Sequence, residues 1–444
     1  MPNNVRSGFL LLSMMLSILA CARGDEARGD TAAGMLGSAA EVACPAGTDT
    51  TVRLPDGFCA VVFADSVMGG RHVAVAPNGD VFVQRMARRR GADSAAAKSG
   101  IMALRDGNGD GRADTTAVFG ETNGTGIGLY KGWIYADDVS RIVRYPLAAG
   151  SLTSSGAAEV VVTGMPTGGH EARNFLIDSA GTMYVNIGSR TNSCQRQDRQ
   201  NESPGVDPCV ELETRAGIWR FQAERMGQRP SLRARFATGI RNGMGLAVNP
   251  ADGKLYATQH GRDQLFQNWP KLFTAQQSAN NPAEELQQLD QGDDFGWPYC
   301  FYSIEHGRRV LAPEYGGNGS DVGRCESKKA PAAVLPGHWA PMSLVFYTGN
   351  QFPPRYRGGA FIAMHGSWNR APEAQAGYNV TFVPLVNGAF GDHEVFAGGF
   401  AGPNVQPSTA PHRPTGLAQS PDGALYLTDD RGGRIWKIVY AGAR

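Results

Sequence analysis

The chain repeats one unit six times, at residues 73–83, 129–136, 175–185, 239–261, 344–364 and 415–427. Each copy has an apolar run, a turn holding glycine, and a second apolar run leading into polar residues. The turn glycines are Gly79, Gly132, Gly181, Gly253, Gly359 and Gly423. Glycine takes the positive φ that a tight hairpin turn requires. The fourth copy is the fullest: Leu246 and Val248 precede the turn Asn249-Pro250-Ala251-Asp252-Gly253, and Leu255-Tyr256-Ala257 follow it. One hairpin cannot bury its own apolar face, so six must stack. The expected fold is all-β, a six-bladed β-propeller with long inserted loops. The glycines are spaced irregularly, by 49 to 106 residues, which is why loops must be inserted. A pair of β-sandwiches is the alternative, and six similar hairpins weigh against it. The last run, 434–440, alternates in polarity and is expected to close the ring against an N-terminal strand such as 58–64.

Composition narrows the class. Of 444 residues, 42% are apolar, enough for a large core. The formal charge of +1 gives no support to a nucleic-acid footprint or an acidic tail. Residues 1–21 read as a lipoprotein-type signal peptide, with Arg6, an apolar stretch from Gly8 to Leu19, and Cys21 as the residue that would carry the lipid. An ordinary secretory signal is the alternative. Residues 22–43 read as a flexible tether, and 44–444 as the propeller domain. Apart from Cys21, six cysteines fall into three local pairs: Cys44/Cys59, Cys194/Cys209 and Cys300/Cys325. Three disulfides are expected, consistent with a periplasmic or cell-surface protein.

Two inserts stand out. Residues 264–288 carry a helix-like stretch, and 290–325 form a long loop around Phe295-Gly296-Trp297-Pro298. Polar residues flank the repeat strands at equivalent places. His170 precedes the third unit, Arg241 and Asn242 the fourth, and Arg413 the sixth. His260 and His365 each follow a second strand. A lone histidine is more often structural than catalytic. Equivalent placement in different repeats is what core packing does not require, and it gathers these residues at one end of the channel. Such a basic ring suits an anionic cofactor or substrate. Glu284 and Glu285 are either a solvated helix face or carboxylates near calcium or the cofactor. Asp106, Asn108 and Asp110 resemble a calcium loop, with Gly111 at the sharp turn. Ala117 stands where an EF-hand needs glutamate, and an ion-free glycine turn is the alternative. Nucleophile-elbow, P-loop, Rossmann and C-x-x-C-H motifs are missing from the sequence, which lowers serine hydrolases, NTPases, NAD enzymes and c-type cytochromes.

At Gly169-His170, Gly239-Ile240-Arg241-Asn242, Gln259-His260-Gly261-Arg262, Ala283-Glu284-Glu285-Leu286, Phe295 to Pro298 and Arg413, the chain resembles the soluble pyrroloquinoline quinone (PQQ)-dependent sugar dehydrogenases. Within them it is most similar to the sorbosone dehydrogenase-like branch. The resemblance spans about 60–440. It implies PQQ and calcium over the channel mouth. His170 would be the general base and Arg241 the stabiliser of the developing oxyanion, with Asn242 beside it. The backbone carbonyls of Gly261 and Arg262 would bind calcium. His260, Glu284, His365 and Arg413 would lie against the cofactor; a second calcium at Asp106, Asn108 and Asp110 rests on that loop's own residues and not on the resemblance. The substrate would be a small sugar or sugar-derived aldehyde, and electrons would leave to a separate acceptor such as a cytochrome or quinone. Three positions depart from the glucose-oxidising members: His365 replaces a lysine, Pro411 an arginine and His260 a glutamine. They point away from glucose. A calcium-dependent propeller hydrolase of lactonase type and a non-catalytic surface-binding propeller are the alternatives.

Overall fold

A computed structural model describes residues 44–87 and 98–442. The proposed signal peptide, Cys21 and the tether lie outside the described residues. Six four-stranded antiparallel sheets form the blades. Blade I holds Gly70–Val75, Val81–Arg85, Gly100–Arg105 and Thr115–Phe119. Blade II holds Ile127–Tyr130, Trp133–Asp138, Arg141–Pro146 and Glu159–Val162. Blade III holds Phe175–Ile177, Thr182–Ile187, Gly217–Gln222 and Arg235–Thr238. Blade IV holds Gly243–Val248, Leu255–Gln259, Glu284–Leu289 and Ala333–Leu335. Blade V holds Pro341–Phe346, Ala360–Met364, Asn379–Val383 and Glu394–Ala397. Blade VI holds Pro414–Gln419, Leu425–Asp429 and Ile435–Tyr440, and its fourth strand is the N-terminal Phe58–Ala64. Phe58 pairs with Tyr440 and Val62 with Trp436, so the expected closure is present.

The first strands of successive blades pack side by side around the axis. An apolar cluster fills each of the six blade interfaces. Sheet faces are thus covered by their neighbours, and several middle strands are buried at every position rather than at alternate ones. Ala360–Met364, for example, is buried at every position. The largest cluster joins blades V and VI, where Phe58 meets Phe352, Phe396 and Tyr356 edge-on at 4.8–5.3 Å between ring centres.

Blades are also tied by repeated polar contacts. Thr258 Oγ1 accepts from Gly245 N and donates to Pro341 O of the next blade. Thr428 Oγ1 does the same between Gly416 N and Arg71 O. A Cβ on Gly416 would stand 2.5 Å from Arg71 O, so only glycine lets these strands converge. On the axis, His72 of blade I places Nδ1 2.8 Å from Asn174 Oδ1 and Nε2 2.8 Å from Met342 O of blade V.

All three expected disulfides are present: Cys44–Cys59, Cys194–Cys209 and Cys300–Cys325. The insert after blade IV's second strand differs from expectation. It contains two short helices, Leu265–Asn268 and Ala275–Asn280, but Glu284 and Glu285 then begin a buried β-strand rather than a solvated helix face. Arg309 explains it, because its guanidinium grips Glu285 through two bonds of 3.0 and 2.6 Å and satisfies the buried charge.

Candidate active site at the channel mouth

Second-to-third turns and blade-to-blade connections share one end of a propeller. His170, Arg241, Asn242, His260, His365 and Arg413 all stand on such segments, and the structure brings them together there. First-to-second and third-to-fourth turns share the opposite end. The Asp106 loop joins the third and fourth strands of blade I, so it lies away from the mouth. Its carboxylates accept backbone N–H groups: Asp106 from Gly109, Asp110 and Gly111, and Asp110 from Arg112. Among the described residues, no group of three His, Cys, Asp or Glu is placed to hold a metal.

His170 sits on a clamped loop. Arg173, fully buried, donates to the carbonyls of His170 (2.8 Å) and Pro166. Arg215 donates to those of Gly168 (2.9 Å) and Thr167. The His170 ring places Nδ1 2.9 Å from Ser189 O. A carbonyl only accepts, so Nδ1 carries the proton and the Nε2 lone pair is left open. Nε2 meets no hydrogen-bond partner among the described residues. Burial, helped by the Arg241 charge, pushes the His170 pKa down to about 3. The ring is therefore neutral at physiological pH and can accept a proton. Gly188 lets His170 and Asn242 meet, since a Cβ there would lie 2.6 Å from His170 Cβ and 2.9 Å from Asn242 Oδ1.

Arg241 is buried and held on every side. Its Nη2 donates to Asp263 (2.9 Å) and Asn192 Oδ1 (3.1 Å), its Nε to Asn192 O (3.1 Å), and its Nη1 to Gly261 O (2.8 Å). Asp263 also accepts from Arg199 (2.8 Å) and Asn369 (2.7 Å). Burial works to raise the Asp263 pKa, but the guanidinium groups of Arg241 and Arg199 outweigh it and hold the carboxyl well below the usual range. Arg199 also lies over the exposed ring of Trp368, 5.9 Å away.

The remaining expected residues divide. His260 is committed within the fold: Nε2 donates to Pro341 O (3.0 Å), and Nδ1 faces Asn242 Nδ2 at 3.5 Å. Glu284 points behind the mouth, where its carboxyl accepts from Gly261 N (2.7 Å) and Ala340 N (3.2 Å), and burial pushes its pKa up to about 8. The Arg262 side chain turns away into a buried ion pair with Glu314. His365 donates Nε2–H to Asp430 (2.9 Å), which also holds Arg71. Arg413 donates to His365 O (3.0 Å) and Gly366 O (2.7 Å). The sequence reading missed Asn192, Arg199, Asp263, Trp368, Arg71 and Asp430. Two of these carried a signal: Asp263 directly follows Gln259-His260-Gly261-Arg262, and Trp368 lies three residues past His365.

The match to known proteins decides the family. The family model described as TrAA12-like covers residues 52–441. The chain belongs to the TrAA12-like family. Relatives of this family member include the pyrroloquinoline quinone-dependent pyranose dehydrogenase of Coprinopsis cinerea, 26% identical over 45% of this chain and 30% of that protein. Aldose sugar dehydrogenase YliI of Escherichia coli (strain K12) is 22% identical over 62% of this chain and 61% of that protein. An uncharacterized protein of Borreliella burgdorferi is 29% identical over 46% of this chain and 48% of that protein. The chain thus spans between 30% and 61% of the length of these curated relatives. Among solved structures, the holo form of the C. cinerea pyranose dehydrogenase PQQ domain aligns with a TM-score of 0.70 and 20% identity, covering 89% of this chain and 98% of that one. The calcium structure of the Trichoderma reesei family AA12 enzyme gives 0.70 and 18%, covering 91% of this chain and all of that one. These structural likenesses carry the six-bladed fold.

The mouth's histidines predict a pH profile of stability. Burial lowers His72, His260 and His365 to about 4 and His170 to about 3, against 6.5 for a free ring. As pH falls below 6.5 the unfolded chain takes up protons that the folded chain refuses, so stability drops. Two buried carboxyls act oppositely. Asp137 is raised by burial to about 7 and Glu284 to about 8, so their contribution is lost as pH rises through those values. Four histidines outweigh two carboxyls on the acid side. The thermal midpoint is expected to peak near pH 6.5 and fall on both sides, measured by circular dichroism across pH 4.5–8.5. A midpoint flat between pH 6.5 and 4.5 would contradict it.

Proposed function

We propose that this chain is an exported quinoprotein dehydrogenase that oxidises a sugar or sugar-derived aldehyde with PQQ as cofactor. One observation carries the reading: a neutral His170 with an open Nε2 stands beside the buried guanidinium of Arg241 at the mouth of a propeller. The names of the C. cinerea and E. coli relatives support it. The three disulfides support export.

The donor set fits the cofactor. PQQ is a planar tricarboxylate. The mouth offers guanidinium groups on Arg71, Arg199, Arg241 and Arg413, and the half-exposed indole of Trp368 as a flat apolar surface. Arg413 and Arg71 would hold carboxylates on the side of blades V and VI, with His365 between them. Bound there, PQQ would supply a two-electron acceptor for hydride. Calcium has a thinner set. The chain offers the carbonyls of Gly261 and Arg262, the first already accepting from Arg241, against the six to eight oxygens such an ion takes. Calcium would therefore bind together with the cofactor and not before it.

The residues' own work follows. Ser189 fixes the His170 tautomer, and Arg173 fixes the backbone beneath it. Nε2 takes the proton from the substrate hydroxyl. Arg241, locked by Asp263 and Asn192, presents fixed positive charge beside that reaction, where charge develops. With PQQ bound, electrons would leave to a separate acceptor such as a cytochrome or quinone. A lactonase-type hydrolase has less support, because the described residues bring no three His, Cys, Asp or Glu together as ligands.

The test mixes purified protein with PQQ and calcium, follows PQQ binding by absorbance, and assays a panel of sugars and aldehydes with an artificial dye acceptor. Dye reduction dependent on PQQ is expected. No PQQ binding and no dye reduction across the panel would sink the proposal.

A further inference from the structure

The end of the propeller opposite the mouth carries a concentrated positive charge. Residues 220–235 hold five arginines and one glutamate, in a chain whose formal charge is +1. They span the third strand of blade III, its following turn and the start of the fourth strand. The turn is built firmly onto the neighbouring blade. Gly227 N donates to Val160 O (3.0 Å), Gln228 N to Val161 O (3.0 Å), and Thr163 N to Gln228 O (2.9 Å). The Gln228 side chain closes the turn from within, donating to Gln222 O and Arg225 O, both at 2.7 Å. The arginines thus stand on a fixed frame.

That frame bounds a shallow, open cleft of about 370 Å³ lined by Arg220, Gln222, Arg225, Arg229, Ser231 and Arg233. None of its four arginines makes an ion pair or a side-chain hydrogen bond among the described residues. The acids nearby are engaged elsewhere: Glu224 holds Lys131 at 3.0 Å and Glu159 holds Arg144 at 2.7 Å. Four guanidinium groups facing one cleft repel each other, and a multiply charged anion relieves that repulsion. Each offers a planar fork that matches carboxylate or sulfate. The Gln222 amide and Ser231 hydroxyl add partners for hydroxyl groups. The lining has no lysine and no tryptophan and sets amide and hydroxyl groups among its guanidinium groups, which suits a chain of acidic sugars better than a lipid surface.

We propose that this cleft binds a carboxylated or sulfated polysaccharide segment, leaving the mouth at the other end open. The proposal does not depend on the dehydrogenase reading. The full chain would be run on immobilised polygalacturonate and heparin, on neutral dextran, and with phosphatidylglycerol vesicles. Retention on both acidic polymers and release by salt are expected, with no retention on dextran. Arg225→Ser with Arg229→Ser should weaken binding at least about tenfold, whereas Arg355→Ser, an exposed arginine on blade V, should not. Arg233→Glu, on an exposed position, gives the same reading if the double variant has a lowered thermal midpoint. Equal retention on dextran, unchanged binding in both cleft variants, or binding to vesicles alone would overturn the proposal.

Discussion

His170→Ala is expected to cut the rate of sugar oxidation by about 10²–10⁴-fold, the usual worth of a positioned general base. The loss should fall on kcat and leave PQQ affinity near its original value, because Arg71, Arg241 and Arg413 remain. The structure also fixes the pH behaviour. With its pKa pushed down to about 3, His170 stays unprotonated through the whole physiological range. The activity of the unaltered protein should therefore show no acid limb from this group between pH 5 and 7. Stopped-flow oxidation of one substrate by the PQQ-loaded protein measures both effects. Unchanged turnover in His170→Ala would remove this residue from the reaction.

Asp263→Ala is expected to be the most destabilising single change at the mouth. Arg241 is 3% exposed, and Asp263 is its carboxylate partner. Removing one partner of a buried pair leaves an uncompensated charge, at a cost of roughly 3–5 kcal/mol. Arg199 loses the same partner but is 32% exposed, so water replaces much of what it loses. Asn369 loses an acceptor as well. The urea midpoint should fall sharply. Adding Arg241→Met should recover much of the stability, because it removes the stranded charge, while activity stays lost. If Asp263→Ala unfolds at the same urea concentration as the unaltered protein, the pair is not what holds Arg241.

The fold was legible because its signal is local. A turn glycine between two apolar runs says hairpin without reference to anything distant, and the six hairpins found this way are the first and second strands of the six blades. Third strands were harder. Glu284–Leu289 reads as polar, yet it is buried, because Arg309 satisfies Glu285 and the Gly261 and Ala340 amides satisfy Glu284. The site divides in the same way. His170, Arg241 and His365 were found because each occupies a repeated position beside a strand. The role of Asp263 depends on Arg199, 64 residues before it, and Asn369, 106 residues after it, and no local pattern announces such a meeting. His260 had a recognisable position, but only the structure reveals that both its ring nitrogens face partners inside the fold.

The pairing of Phe58–Ala64 with Ile435–Tyr440 sets an order of events during synthesis. Among the described residues, the strand made first pairs with the strand made last. Blades I to V can assemble as they emerge, but blade VI waits for the C-terminal strand. Until then Phe-Cys-Ala-Val-Val-Phe-Ala has no ladder to join. A short apolar segment rich in β-formers and without charge is the kind that pairs with other chains when left exposed. Phe58–Ala64 therefore stays without its ladder partner until Ile435–Tyr440 has been made, and a truncation that removes Ile435–Tyr440 would leave it unpaired along that edge.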